Sequence, residues 1–287
     1  MTEQVLLGSM CGDGCVRCNG KRSINPTYRE SHSVKQKDYF LWKIKLLKEL
    51  SPRIYNTKTF NKTTSKFYDG LAIYTSASHE LIKFRKLFYK GTSGNKIIRI
   101  KALKLLKPLA LAIWYMDDGA YDYGNMSVRL YTSMDDLKSQ QRIKRYFASL
   151  GLRCSIFKKS KINNYYIGFD RKSTDKFLKL IYNYMPRCMN YKKGQLCVDN
   201  IQILKNAKKK NAIYLKRWNQ RNALYMHEYR KNYRIKNYKK LKLYFKEFNI
   251  KNRKKIALKN REYYVKNREK ILSKYKEYRD KNKYIMQ

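Results

Sequence analysis

The feature that most constrains this chain is a duplication. Val5 to Gly14 is a short apolar segment rich in small residues, readable as a helix that ends at an acid followed by glycine. Strands are expected at about 14–22 and 26–34, the second alternating through Tyr28, Glu30 and His32. Phe40, Ile44, Leu47 and Leu50 fall at helical spacing and predict an amphipathic helix from Asp38 to Leu50. Two more strands, about 53–60 and 67–76, precede a helix from Ser78 to Tyr89. The order then repeats about 105 residues on. Pro108 to Met116 is an apolar helix, with strands near 120–125 and 127–133 behind it. Ser133 can cap a helix from Met134 to Leu150, whose first turn carries Asp135 and Asp136 at the positive end of its dipole. Strands near 152–160 and 163–170 and a helix from Thr174 to Met185 complete the second half.

Two similar halves pack about a pseudo-two-fold axis, and the elements that open each repeat can meet on it. Here each opening helix ends in an acid and a glycine, Asp13-Gly14 and Asp118-Gly119. Side by side, those helices would deliver two carboxylates to one place. Paired carboxylates can bind a divalent cation, the setting for in-line attack on a phosphodiester.

Charge points to the same class of partner. Sixty-seven Lys and Arg against 21 Asp and Glu leave a formal net charge of +46, which favours a polyphosphate over a neutral small molecule. No run of about 18 apolar residues occurs, so no segment is expected to span a bilayer. Thr2-Glu3-Gln4 after Met1 lacks a secretory pattern, and the expected location is intracellular. The bias toward Lys, Asn, Tyr and Ile would follow from an A+T-rich gene, pointing to a mitochondrion or chloroplast, or to a virus- or phage-infected cell. Cys15-x-x-Cys18 has no second pair to complete a zinc site, and alternation on a strand explains these cysteines as buried small residues.

Leu6-Leu7-Gly8-Ser9-Met10-Cys11-Gly12-Asp13-Gly14 and Leu111-Ala112-Ile113-Trp114-Tyr115-Met116-Asp117-Asp118-Gly119 resemble the paired signature helices of the LAGLIDADG homing endonucleases. The run from Leu106-Lys107-Pro108 onward is similar to the second motif of the monomeric, intron-encoded members, and the resemblance covers roughly residues 4–200. It implies an α+β fold of two αββαββα halves, 1–105 and 106–204, whose antiparallel sheets form a DNA-binding saddle. It also implies Asp13 and Asp118 as metal-binding acids for Mg²⁺, with Gly12 and Asp117 as the preceding residues at the metal site. A basic residue near each active site is implied as well: Lys192, in Met189-Asn190-Tyr191-Lys192, and Lys96, in Asn95-Lys96-Ile97-Ile98. Such a lysine would stabilise charge on phosphate or position the attacking water.

Gly8 and Gly12, four apart, would let a second helix approach closely, whereas the second motif has Ile113 and Asp117 there. The two helices are therefore unequal, which fits a monomer cutting a non-palindromic site rather than a symmetric dimer. Sequence readout is expected from hairpin strands, because a β-ribbon fits the major groove. The candidates are Arg17, Asn19, Lys21, Arg22, Arg29 and Lys58 in the first half, and Tyr121, Arg129, Lys158, Lys159 and Asn164 in the second.

Residues 205–287 lie outside the resemblance and carry 29 Lys and Arg against 6 Asp and Glu. Lys-Asn recurs at 236–237, 251–252, 266–267 and 281–282, and Arg221-Asn222 extends the series backward. On this 15-residue period one column reads Met226, Leu241, Ile256, Ile271 and Met286, and another Trp218, Tyr233, Phe248, Tyr263 and Tyr278. Fifteen residues is close to four α-helical turns (about 14.4), so each column returns to nearly one face. The tail reads as a degenerate helical repeat. It could be an arm along DNA phosphates, an RNA-binding arm, or a solvated or partly disordered helix.

The expected activity is Mg²⁺-dependent double-strand cleavage of DNA at a long non-palindromic site, by a monomer that works without a membrane. The alternative on the same fold is an RNA maturase assisting group I intron splicing, with intron RNA as partner. Loss of an acid would favour that role or a non-catalytic regulator, and both acids are present. Intein splicing is disfavoured by the start at Met1 and the lack of a terminal His-Asn.

Overall fold

The computed structural model describes residues 1–18, 20, 23–90, 96–132, 137–158 and 165–282. These fall into two compact units, Met1–Ala212 and Ile213–Gln287.

Unit 1 is built on two sheets of matching order. Helix α1 (Thr2–Cys11) leads into β1 (Cys15–Arg17) and β2 (Thr27–Ser33), followed by α2 (Lys37–Leu46), β3 (Arg53–Asn61), β4 (Lys66–Tyr74), α3 (Ile82–Phe88) and α4 (Ile100–Lys104). Helix α5 (Pro108–Asp118) opens the second series, with β5 (Gly119–Asp122), β6 (Ser127–Tyr131), α6 (Leu137–Ser149), β7 (Cys154–Lys158), β8 (Tyr165–Phe169) and α7 (Arg171–Ile181). The strand orders are β1-β2-β4-β3 and β5-β6-β8-β7, every pairing antiparallel. This is the mixed α+β architecture that the duplication predicts.

The two opening helices lie at the centre. Val5 through Cys11 and Ala110 through Met116 are buried without a break, because each helix is covered on every side. Pro108 stands at the first turn of α5, where its fixed φ and missing N–H cost nothing. A Cβ on Gly8 would strike the Ala110 carbonyl and come within 2.9 Å of Ile113 Cβ, and one on Gly12 would lie 2.6 Å from Asp117 Cβ. The glycines of the first motif thus admit the second helix, with small Ala110 opposite. One continuous core spans both halves, running from Val5, Leu7 and Met10 through Trp114 and Tyr115 to Phe147 and Phe177.

Several boundaries differ from the sequence reading for local reasons. Helix α1 stops at Cys11, with Gly12 at φ −106 and ψ −127, so Asp13 sits in the turn rather than on the helix. The helix expected from 38 to 50 closes at Leu46, and a 3₁₀ turn over Lys48–Leu50 ends at Ser51 in the left-handed region, φ 46. The helix expected from Ser78 starts as a 3₁₀ turn, His79–Leu81, with Ser78 Oγ accepting from Glu80 N (3.2 Å). Helix α7 starts at Arg171, earlier than expected, because Asp170 accepts from Ser173 N (2.7 Å) as an N-cap. Ser133, Asp135 and Asp136 lie outside the described residues.

Helix α8 (Ile201–Arg221) begins in unit 1 and continues into unit 2, where α9 (Ala223–Lys236) and α10 (Tyr238–Asn282) follow it. The interruptions fall at Asn222 and Asn237, two of the repeat asparagines, with φ near −110 and ψ near 20. No residue of unit 2 is buried among those described, as a chain dominated by Lys, Arg and Tyr requires. Among the described residues no helix is long and apolar enough to cross a membrane.

Candidate active site

The carboxyl ends of α1 and α5 meet the two sheets at one place, and the chemistry of the molecule collects there. Asp13 follows α1 with its side chain 39% exposed. Asp118 ends α5 and is mostly buried. Burial, together with the charges of Asp13 and Asp117, pushes the Asp118 carboxyl up to about 7, against the pull of Lys96 and Lys192. Each lysine is tied to the end of a signature helix. Lys96 Nζ donates to the carbonyls of Gly12 and Gly14 (2.9 Å to the latter), and Lys192 Nζ donates to those of Met116 (2.5 Å) and Tyr115 (3.4 Å). The partial negative charge of a helix carboxyl end is what holds an ammonium there. Lys192 is 7% exposed, and burial lowers it to about 8 in spite of Asp117, Asp13 and Asp118 nearby. The structure therefore brings Asp13, Asp118, Lys96 and Lys192 within electrostatic reach of one another.

A divalent cation suits this set. Two carboxylates converge, one open to solvent and the other held from ionising by burial and by its acidic neighbours. A cation held by Asp13 and Asp118 would offset both the burial and the acidic neighbours that raise Asp118.

The residues preceding those acids are also engaged inside the protein. The Asp117 side chain is fully enclosed, accepting from Tyr39 Oη (2.6 Å) and, through both oxygens, from Lys43 Nζ (3.0 and 2.9 Å). Its oxygens are spent inside the protein, and the Gly12 carbonyl is likewise taken by Lys96. The metal-site role that the resemblance implies for Gly12 and Asp117 would thus have to share these oxygens with Lys96 and Lys43.

Lys43 opens a network that the sequence reading missed. Its ammonium also pairs with Glu30, which accepts from Tyr28 Oη and lies 2.5 Å from His32 Nε2. His32 Nδ1 faces Gln36 Oε1 (3.2 Å) and Asp13 Oδ2 (3.8 Å). Burial works against the imidazolium, yet the Glu30 carboxylate raises its pKa. Burial also works against the Glu30 anion, but Lys43 and His32 hold it down at about 2. Asp117 fares oppositely, pushed to about 6 by burial and by the Glu30 and Asp13 charges despite Lys43. Asp13, Glu30, His32 and Asp117 all present ligand atoms within 4.8 Å of one another. Lys43 is the cation already inside that group.

Two signals in the sequence could have found these residues. Tyr28, Glu30 and His32 occupy the inward positions of β2, so three polar side chains stand where core residues belong. Lys43 lies on the apolar stripe of α2 between Phe40 and Leu47, all three buried.

Strand parity sorts the expected DNA-contacting residues. Arg17 and Arg29 share the outer face of the first sheet, and Arg129 takes the outer face of the second. Arg29 lies over the Tyr74 ring (5.1 Å), while Arg129 is bound to Asp122 and lies over Tyr166 (5.7 Å). Lys58 and Lys158 are exposed but pair in register with Asp69 and Tyr165 on the opposite parity, beyond the edge of the core. Tyr121 is corrected outright. It pairs with Val128 on the core face, is 7% exposed and packs on Tyr123 (4.9 Å between rings). A one-residue change of parity reverses a side chain's face, and polarity alone does not reveal it for tyrosine. Asn19, Lys21, Arg22, Lys159 and Asn164 lie outside the described residues.

Comparison with known proteins agrees with this arrangement. The model of the LAGLIDADG DNA endonuclease family matches residues 3–177. A RecA protein of Mycolicibacterium flavescens is 30% identical over 201 residues, which cover 66% of this chain and 45% of that protein. The DNA endonuclease I-ChuI of Chlamydomonas applanata is 26% identical over 203 residues, covering 66% of this chain and 93% of that enzyme. The chain thus spans about half the length of the RecA proteins that it matches. Among solved structures, the homing endonuclease I-WcaI bound to its DNA recognition sequence superposes with a TM-score of 0.60 at 21% identity, over 67% of this chain and 85% of that one. At that identity the likeness shows the fold. The family match ends before the 15-residue repeat begins.

Proposed function

The chain belongs to the LAGLIDADG DNA endonuclease family, and from that premise we propose that it makes metal-dependent double-strand breaks in DNA at a long non-palindromic site. The observation that carries this reading is the convergence of Asp13 and Asp118 at the ends of two packed helices, each beside a lysine anchored on backbone carbonyls of the helix end or the turn that follows it. Asp13 and Asp118 would hold the divalent cation, Mg²⁺ in our reading. Bound there, it supplies a Lewis acid for the phosphate and a water of lowered pKa. The side chains set the rest. Lys96 and Lys192 face the charge that builds on phosphate, and their anchoring leaves little to reorganise as it does so. Arg17, Arg29 and Arg129 offer guanidinium groups to the duplex from the outer sheet faces. In-line attack of water would break the P–O3′ bond and leave a 3′-hydroxyl and a 5′-phosphate. The inequality of the two helices, Gly8 and Gly12 against Ile113 and Asp117, supports a single chain reading two different half-sites.

The test is to incubate the chain and its Asp118→Asn variant with a randomised DNA library and Mg²⁺, then sequence the ends. Recurrent metal-dependent cuts by the unmutated chain alone are expected. Intact DNA beside tight binding to a structured intron RNA would transfer the assignment to splicing assistance.

A further inference from the structure

The repeat of unit 2 has a structural logic that the cleavage reading does not use. In each unit the asparagine side chain turns back onto its own helix. Asn222 Nδ2 donates to the Trp218 carbonyl (2.8 Å), and Asn237, Asn252 and Asn267 donate to those of Tyr233, Phe248 and Tyr263 (2.9 Å each). The retained asparagine and the retained aromatic residue are therefore one local device, closed within a single turn. Four residues further on, Met226, Leu241, Ile256 and Ile271 are half-buried beneath the long side chains around them. What the repeat leaves outside is mainly cationic and aromatic, with Glu247, Glu262 and Glu277 recurring as a single acidic column among them. Arg221, Lys236, Lys251 and Lys266, each just before a repeat asparagine, are exposed, as are Lys231, Lys246, Arg261 and Lys276. The rings of Tyr233, Phe248 and Tyr263 are also exposed. None of the ion pairs among the described residues involves unit 2.

This pattern narrows the partner. A second copy of the helix is excluded as the main occupant, because like charge repels and the further aliphatic residues, Leu243, Ile250, Leu258, Val265 and Leu272, do not share one column of the period. The remaining match for unpaired cations recurring about every 22 Å along a helix is a polyanion of regular charge. The asparagine amides, which could have read base edges, are taken by helix carbonyls, so the exposed set recognises phosphate rather than sequence. Resting on the DNA-cleavage reading of unit 1, we infer that unit 2 is a sequence-independent arm that binds the phosphates of duplex DNA.

The full-length chain is compared with a variant carrying Arg221→Gln, Lys236→Gln, Lys251→Gln and Lys266→Gln together, and with one carrying Lys236→Arg, Lys251→Arg and Lys266→Arg. Glutamine and lysine have similar helix propensity, so far-ultraviolet circular dichroism should not change. Affinity is measured by fluorescence anisotropy across a salt series, on a random-sequence DNA duplex, on the duplex recovered from the cleavage screen, and on an RNA hairpin. For every phosphate that a substituted side chain no longer neutralises, the slope of log K against log salt should become shallower by about 0.9, up to about 3.6 for the glutamine variant. Both duplexes should lose affinity by the same factor, and the arginine variant should keep the original slope. An unchanged slope in the glutamine variant would overturn the arm. So would a loss confined to the recovered duplex, which means base reading, or confined to the hairpin, which means an RNA partner. Failure of the cleavage reading looks different: a chain that binds duplex with the steep slope but leaves the library intact keeps the arm and loses the nuclease.

Discussion

Replacing Lys43 with methionine keeps the length and apolar stem of the side chain and deletes one charge. That charge has no exposure and faces two buried carboxylates, Glu30 and Asp117. Removing one partner of a buried ion pair typically costs about 3–5 kcal/mol, because the other charge remains without compensation. Here the penalty has an escape that depends on pH. Glu30 keeps Tyr28 and His32, whereas Asp117 keeps only the Tyr39 hydroxyl among the partners described. Asp117 already stands at about 6, above its reference value of 3.8, so its ionisation opposes folding and stability is lost as pH rises through that range. In the variant it can take up a proton instead. Relative to a pKa of about 6, that uptake costs about 3 kcal/mol at pH 8 and almost nothing at pH 6.

Lys43→Met should therefore lose about 3–5 kcal/mol at pH 8 but only about 0–2 kcal/mol at pH 6. For a unit of this size each kcal/mol shifts Tm by about 2–4 °C, so the expected fall is about 6–20 °C at pH 8 and a few degrees at pH 6. Differential scanning calorimetry in chelator, on both proteins at both pH values, reads this directly. A drop of equal size at the two pH values would mean that the loss falls on packing or on Glu30, which is ionised at both, rather than on Asp117. A drop below about 2 °C at pH 8 would mean that Lys43 does not balance Asp117 at all.

Other outcomes follow from the same geometry. Asp118→Asn removes a carboxyl whose folded pKa of about 7 lies above its reference value of 3.8, so without metal it should stabilise the fold above pH 7 by up to about 4 kcal/mol. The gain should vanish near pH 4 while cleavage is lost throughout; thermal melts and a plasmid assay check the two halves of the statement. Gly8→Val drives a branched side chain into the Ala110 carbonyl and Ile113, and should cost about 1–3 kcal/mol by urea unfolding. On the metal role proposed for Asp118, which requires the ionised carboxylate, lowering the pH from 8 to 6 should impair cleavage of one strand more than the other and accumulate nicked plasmid. Parallel loss of nicked and linear product would contradict that.

The duplicated order and the two central helices were legible because they rest on periodicity and on unbroken apolar runs, which tertiary context rarely overrides. The acids Asp13 and Asp118 were legible for the same reason, standing at the ends of those runs. Glu30, His32 and Lys43 were not, since a lysine on an apolar stripe is explained by carboxylates on other elements, Glu30 on β2 and Asp117 74 residues away in sequence. The resemblance implies Asp117 at the metal site beside Asp118, but on a helix adjacent side chains point about 100° apart, and the partners of Asp117, Lys43 and Tyr39, lie on another helix that no motif reveals. Tyr121 failed for lack of strand parity, which registers decide and polarity does not. In the tail the 15-residue period was plain, but the turn of each asparagine amide onto its own helix is a matter of side-chain geometry.

The polar network also bears on why the two halves differ. In register, Tyr28, Glu30 and His32 of β2 correspond to Val128, Leu130 and Thr132 on and just beyond β6: Tyr28 pairs with Val16 as Val128 pairs with Tyr121, and Glu30 with Ile73 as Leu130 with Ile167. Ile143, buried on α6, stands where Lys43 stands on α2. The second half thus completes the same sheet and helix with apolar residues at most of these positions. The fold itself does not require the charges, consistent with buried ion pairs being replaceable by well-packed apolar groups at little cost. Their effect is local and electrostatic. They place a raised-pKa imidazole 3.8 Å from Asp13 and tie Asp117, the neighbour of Asp118, to the first half. The two acids of an otherwise duplicated site consequently sit in unequal fields, one half-exposed beside His32 and the other enclosed and held up at about 7. Within a single chain that inequality is permanent, whereas a symmetric dimer would be forced to apply it to both sites alike.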